Sequence, residues 1–280
     1  MGLLGPAQIR ELAAELDLRP TKRLGQNFVI DPNTVRRIVS LAGVQADDWV
    51  LEVGPGLGSL TLALLDAGAR VQAVEIDERL ARRLPQTVAD FAADTGARLE
   101  VRTEDAMVMP AVGAPTKFVA NLPYNTGVPI LLHVLETVDS VHSGVVMVQQ
   151  EVAQRLTAAP GSRVYGVPTV KMAWWASARS AGKVGTEVFW PAPNVQSGLV
   201  AFERRLVDQP RLREPTFAAI DAAFAQRRKM LRSALRAWAA PLAALDVLHS
   251  AGIDPASRGE SLTVADFQAL ASAKSEMLRT

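Results

Sequence analysis

The chain has 280 residues, 49% hydrophobic and 21% charged, a balance that fits a folded globular protein and argues against disorder. Cysteine is absent, which removes disulfides, thiolate zinc sites, iron–sulfur clusters and cysteine nucleophiles, and the three histidines are too scattered for a multi-histidine metal site. The net charge of +1 hides a polarity: Val44–Pro110 carries 12 acidic and 6 basic residues, whereas Arg204–Arg236 carries 9 basic and 3 acidic, which by charge alone fits a solvated charged helix first and a polyanion-binding patch second.

No apolar run approaches the roughly 20 residues of a membrane helix. Met1–Arg10 lacks the charged start and apolar core of a signal peptide, so a cytoplasmic protein without a membrane segment is expected. Met1–Leu18 reads as a short amphipathic helix, and Asp31-Pro32-Asn33 as the start of another that runs to Leu41. Strands and helices then alternate. Trp49–Val53, Val71–Glu75, Leu99–Arg102, Phe118–Asn121 and Gly144–Val148 read as strands, with helices over Leu60–Asp66, Glu78–Ala93 and Pro129–Val138. This is the rhythm of a doubly wound, mostly parallel α/β sheet. Tyr165–Ala176 reads as a helix whose Trp174 and Trp175 pack in the core. Ser177–Val184 and Gly198–Arg204 read as two further strands, paired antiparallel across Phe189–Pro193.

Asp208, Pro210 and Pro215 break the periodicity and place a boundary between a domain over 1–207, with a helical extension over 1–45, and a small all-α domain over 208–280. In the latter, Phe217–Trp238 reads as one strongly amphipathic helix. Arg228, Arg232 and Arg236 recur every four residues on it as a cationic stripe.

The chemistry collects after the strands. Glu52-Val53-Gly54-Pro55-Gly56-Leu57-Gly58 follows the first core strand, and its glycines permit a sharp turn and close approach of a ligand. Glu75 ends the next strand 21 residues after Gly54, where a carboxylate can accept both hydroxyls of a ribose. The third glycine comes one position too early for G-x-G-x-x-G. The neighbouring Glu52 also suits a cofactor with a cationic amino-acid end better than a pyrophosphate, which favours S-adenosylmethionine over a nicotinamide dinucleotide. Asp105, after the third strand, is placed to accept a hydrogen bond from an adenine amino group. After the fourth stands Asn121-Leu122-Pro123-Tyr124. An exocyclic amine has its lone pair delocalised into the ring. A site can help by accepting its hydrogens on the Asn121 amide oxygen and the Leu122 carbonyl, and by stacking the base on Tyr124, with Pro123 stiffening the turn.

Together these segments resemble the ribosomal RNA small-subunit adenine dimethyltransferases of the KsgA type, over about Thr21 to Leu270. Lys22-Arg23-Leu24-Gly25-Gln26-Asn27-Phe28 is similar to the family's opening motif. Gln149–Leu156, Phe189–Ser197 and Ala223–Arg232 are similar to further signatures. Val29 stands where many relatives have leucine. The resemblance implies a class I S-adenosylmethionine-dependent methyltransferase fold, a Rossmann-like, mostly parallel seven-stranded sheet with a C-terminal helical domain. It implies N6,N6-dimethylation of two adjacent adenosines near the 3′ end of 16S RNA in the small ribosomal subunit, with a role in subunit biogenesis, S-adenosylhomocysteine as product and no metal. By motif, Asn27, Val29 and Gly54 would contact the methionine end of the cofactor, Glu75 the ribose and Asp105 the adenine. Asn121 would stand at the chemistry, with Tyr124 and Phe189 stacked on the flipped base. Arg227, Arg228, Lys229 and Arg232 would meet RNA phosphates. A monomer is expected. The competing readings are a large-subunit adenine dimethylase and a non-catalytic assembly factor.

Overall fold

The computed structural model describes residues 2–18, 27–110 and 113–279. Lys22–Gln26 of the opening motif lies outside the described residues. Helix α1 (Pro6–Glu15) is followed by a two-residue strand β1 (Phe28–Val29) and by α2 (Pro32–Leu41). Asp31 caps α2: its carboxylate accepts the backbone N–H of Asn33 at 3.3 Å and of Thr34 at 2.8 Å, with Pro32 in the first turn, where no N–H is required.

The alternating elements follow in the predicted order: β2 (Trp49–Val53), α3 (Ser59–Asp66), β3 (Arg70–Glu75), α4 (Glu78–Ala92), β4 (Leu99–Thr103), β5 (Lys117–Asn121), α5 (Gly127–Thr137) and β6 (Ser143–Gln149). Then come α6 (Gln150–Leu156), α7 (Val167–Trp175), β7 (Ala176–Val184), β8 (Phe189–Trp190) and β9 (Ser197–Arg204). The main sheet has seven strands in the order β4-β3-β2-β5-β6-β9-β7. Its first five strands are mutually parallel, and β9 joins β6 antiparallel with Gln149 opposite Ser197. β9 and β7 are neighbours, and β8 pairs instead with β1, Val29 opposite Phe189. Covered on both faces, the central strands are largely apolar: Val50, Leu51, Val71, Ala73, Phe118, Val119, Val145 and Val146 are all fully buried.

The chain divides into two compact units, Met1–Gln154 with Ala178–Arg204, and Arg155–Ser177 with Arg205–Thr280. The second unit therefore takes in α7, which the linear boundary at 207/208 leaves in the first domain. Trp174 packs edge-on against Phe217 at 5.9 Å, and Lys171 pairs with Asp221 at 2.8 Å. A linear reading of composition does not show such returns of the chain.

One predicted element is corrected. Phe217–Trp238 is not a single helix but α8 (Arg213–Ala225), a turn, α9 (Leu231–Ala234) and α10 (Arg236–Ala239), followed by α11 (Ala244–Ser250) and α12 (Val264–Met277). The break lies at three successive cations, Arg227-Arg228-Lys229. The N–H groups of Leu231 and Arg232 donate to the carbonyls of Ser257 and Pro255 at 2.8 and 3.2 Å, instead of to carbonyls four residues back. Arg228, Arg232 and Arg236 consequently do not form a stripe along one helix.

Replacing Asp31 by alanine removes the cap of α2 and is expected to lower stability by about 1 kcal/mol at neutral pH. Burial raises the Asp31 pKa, but its bonds to Thr34 and Asn33 win and hold it below the ordinary value. The cap's contribution is therefore present above the unfolded pKa and lost as pH falls through the folded one. Denaturant unfolding of wild type and D31A at pH 7 and pH 3 measures both.

Candidate active site at the carboxyl ends of the parallel strands

The sheet order reverses between β2 and β5, and open α/β sheets form their ligand crevice at such a point, outside the carboxyl ends of the strands. A cavity of about 210 Å³ lies there. All six residues assigned to the cofactor from the sequence line it, Asn27, Val29, Gly54, Glu75, Asp105 and Asn121, and so do Glu52 and Pro123.

The glycine loop forms its floor. Gly56 has φ +58°, and a Cβ there would stand 2.9 Å from the Phe28 ring. Gly58 has φ +99°, and its Cβ would stand 2.8 Å from Leu84. Both positions thus demand glycine for backbone conformation and for space.

Two carboxyls are buried beside this loop. Glu75 is 6% exposed, with one oxygen accepting the Gly56 N–H at 3.1 Å and the other the Asp77 N–H at 3.0 Å. Burial raises its pKa, and these two bonds oppose the rise. Each oxygen keeps a further lone pair for a hydroxyl donor. Glu52 is 1% exposed and accepts one bond, from the Thr61 hydroxyl at 2.7 Å. Burial, reinforced by the charge of Glu75, pushes its pKa up to about 8 despite the Thr61 bond. A carboxyl held in this condition is a ready partner for a cation.

The opposite rim is the loop after β4. Asp105 accepts the Met107 N–H at 2.9 Å, and Glu104 N–H donates to the Glu75 carbonyl at 3.1 Å. His133 Nε2 on α5 lies 2.8 Å from the Met109 carbonyl and ties the loop to the helix. Ile76 and Met107, 56% and 39% exposed, give this end an apolar lining suited to a planar ring. Neither was singled out from the sequence; being adjacent to Glu75 and close to Asp105 was the available signal.

At the end of β5, Asn121 Nδ2 donates to the Asn27 carbonyl at 3.1 Å. That bond sets the sense of the amide, leaving Oδ1 as the acceptor end. Leu122 N–H is held by the Met147 carbonyl at 3.0 Å, and Pro123 lines the cavity. Tyr124 is half-buried, its phenol oxygen 2.7 Å from Ser197 Oγ. Phe189 is placed differently from the sequence expectation. It is 3% exposed, belongs to the core around β1, and does not line the cavity. Its neighbour Trp190 stacks on Phe28 at 6.3 Å. Strand β8 thus braces the strand that carries Val29. The Val29 carbonyl accepts the Ser59 hydroxyl at 2.7 Å, a support the sequence motif did not reveal.

In the second unit Arg227 is held by Glu260 at 3.0 Å and by the Arg163 carbonyl at 2.7 Å, whereas Arg228, Lys229 and Arg232 are exposed. Among the described residues no group of three or more metal-ligating side chains is gathered, and no helix is long and apolar enough to cross a membrane.

The raised pKa of Glu52 has a measurable consequence. Its unfolded carboxyl titrates near 4.5 and its folded one near 8, so the folded state holds a proton that the unfolded state has released. Stability must then fall as pH rises through that window. Glu52→Gln keeps the shape and removes the titration. Melting temperatures of the ligand-free protein between pH 5 and pH 9 are expected to fall more steeply in wild type than in the variant.

The model of the ribosomal RNA adenine dimethylase family matches residues 18–275. The ribosomal RNA small subunit methyltransferase A of Leifsonia xyli subsp. xyli is 59% identical over 96% of this chain and 98% of its own. That of Thermobifida fusca is 58% identical over 96% and 95%. Among solved structures, the 23S rRNA methyltransferase ErmE superposes with a TM-score of 0.65 at 25% identity, covering 89% of this chain and all of its own. A dimethyladenosine transferase from Plasmodium falciparum superposes with a TM-score of 0.74 over 87% and 95%, and at 22% identity it shows the fold alone. With the glycine loop, the acidic series, Asn121 and Pro123 set around one crevice, the chain belongs to the ribosomal RNA adenine dimethylase family.

Proposed function

We propose that the protein transfers methyl groups from S-adenosylmethionine to N6 of two adjacent adenosines near the 3′ end of 16S RNA in the small ribosomal subunit, leaving each as N6,N6-dimethyladenosine. The observation that carries the reading is the placement of Asn121-Leu122-Pro123-Tyr124 at the end of β5, across the switch point from the glycine loop on β2. The names of the Leifsonia and Thermobifida relatives support the small subunit as substrate.

The residues present fit the cofactor. Glu52 is a buried carboxyl suited to a cationic end, Glu75 has spare acceptor capacity for ribose hydroxyls, and Asp105 stands beside the apolar end formed by Ile76 and Met107. In this reading Asn27, Val29 and Gly54 hold the methionine end, Glu75 the ribose and Asp105 the adenine amine. Bound there, S-adenosylmethionine supplies a methyl on an electrophilic sulfonium. The chain's own work is placement. Asn121 Oδ1 and the Leu122 carbonyl accept the two N6 hydrogens and turn the amine's lone pair toward the cavity. Tyr124 stacks on the base. The amine sheds its proton once the new bond has formed, so no strong base is required. Phe189, packed in the core, keeps β1 in place, and the base wall falls to Tyr124.

Arg228, Lys229 and Arg232 bind RNA phosphates, while Arg227, tied to Glu260, shapes the turn that presents them. The second unit then serves RNA recognition and the first catalysis. In this reading the protein works as a monomer in the cytoplasm, where its ribosomal substrate is made.

The test is methyl transfer to small subunits lacking the modification, with nucleoside analysis of the product. Dimethyladenosine in small-subunit RNA only is the expected result. Label in large-subunit RNA would show a different substrate, and no label would leave a binding role. Asn121→Ala and Tyr124→Ala are each expected to lower kcat at least about a hundredfold, the scale of a lost placement or transition-state contact. Replacing Arg228, Lys229 and Arg232 with alanine should weaken RNA binding and lower the slope of log affinity against log salt by about 1 per cation removed, measured by titration at several salt concentrations.

A further inference from the structure

Tyr124 closes the catalytic tetrapeptide, and its phenol oxygen meets Ser197 Oγ at 2.7 Å. Ser197 is fully buried and opens β9, opposite Gln149 in the β6 ladder. Beside it the Gln150 N–H donates to the Gln196 carbonyl at 2.9 Å. On its other side Gly198 packs so closely that a Cβ would stand 2.6 Å from Ala153. The serine hydroxyl is thus carried by a rigid sheet, whereas the ring it holds stands on a loop. Pinned at its hydroxyl, the tyrosine ring is held at one place, because a swing about its Cα–Cβ bond would carry the phenol oxygen away from Ser197.

The second methyl group makes a different demand on that ring from the first. An unmodified N6 amine carries two hydrogens, which Asn121 Oδ1 and the Leu122 carbonyl can both accept. After one methylation a single N–H remains, so one of the two polar tethers is gone. Alignment of the nitrogen then leans on how the base is stacked.

We infer that Ser197 is a positioning residue that holds the Tyr124 ring in place and thereby secures the second methyl transfer more than the first, an inference that rests on the dimethylation reading above. A residue of merely structural importance would slow both transfers alike.

The experiment follows unmodified, N6-methyl and N6,N6-dimethyl adenosine over time on small subunits for wild type, Ser197→Ala, Tyr124→Phe and the double variant. Cofactor affinity is measured in parallel by calorimetry. Each single variant is expected to accumulate the monomethyl product, with the ratio of the first to the second rate constant raised about five- to tenfold, the size of one lost hydrogen bond. The double variant should be no worse than either single one, and cofactor affinity should stay at the wild-type value. The two variants break the same bond from opposite ends, so a folding defect in one does not imitate the result. An unchanged ratio in either single variant, or effects that multiply in the double one, overturns the role of Ser197 alone. A wild-type enzyme that makes no dimethyladenosine overturns the dimethylation reading and this inference with it.

Discussion

The structure depends on the reversal of strand order between β2 and β5. Their ladder joins only Val50 to Lys117 and Leu51 to Phe118, while the strands continue to Val53 and Asn121. The connections leave in opposite directions from these two ends, so no helix can cover the ground between them. Everything polar that matters in the first unit is gathered there. The glycine loop and Glu52 come from β2, Glu75 from the end of β3, Asp105 from the loop after β4, and Asn121 from β5.

That arrangement places two carboxyls where water is scarce. Glu75 is supported by two backbone N–H groups, and Glu52 has only the Thr61 hydroxyl. The difference divides their roles. Glu75 already sits among donors and can add hydroxyls to its remaining lone pairs. Glu52 keeps its proton to about pH 8, and a positive charge placed beside it would favour its ionised form. Carboxyls with strongly perturbed titration in a cleft are a mark of functional sites.

Much of the fold was legible because local rules and burial agree. The apolar strand runs, the Asp31 cap with Pro32 and the glycines after β2 each state their structure within a few residues, and the strands and helices from Trp49 to Gln149 fall where the periodicity puts them. The readings that differ involve distant groups. The helix expected over Phe217–Trp238 breaks because Ser257 and Pro255 offer carbonyls to Leu231 and Arg232. Phe189 enters the core because β8 pairs with β1, some 160 residues away in the chain. Arg227, grouped by its motif with the cations that would meet RNA phosphates, is paired with Glu260.

The sequence by itself determined the kind of site, because motif chemistry is a matter of residue type and short spacing: glycines where the backbone must turn, carboxylates at or after successive strand ends, and an amide and an aromatic ring three residues apart. Only the tertiary structure decided which of those residues face the cavity and what holds them. Asn27 orients Asn121, Thr61 meets Glu52, Ser59 supports Val29 and Ser197 pins Tyr124. The reason is physical. Each hydrogen bond requires two groups to come within about 3 Å, and most of these pairs join elements that meet only when the sheet is assembled.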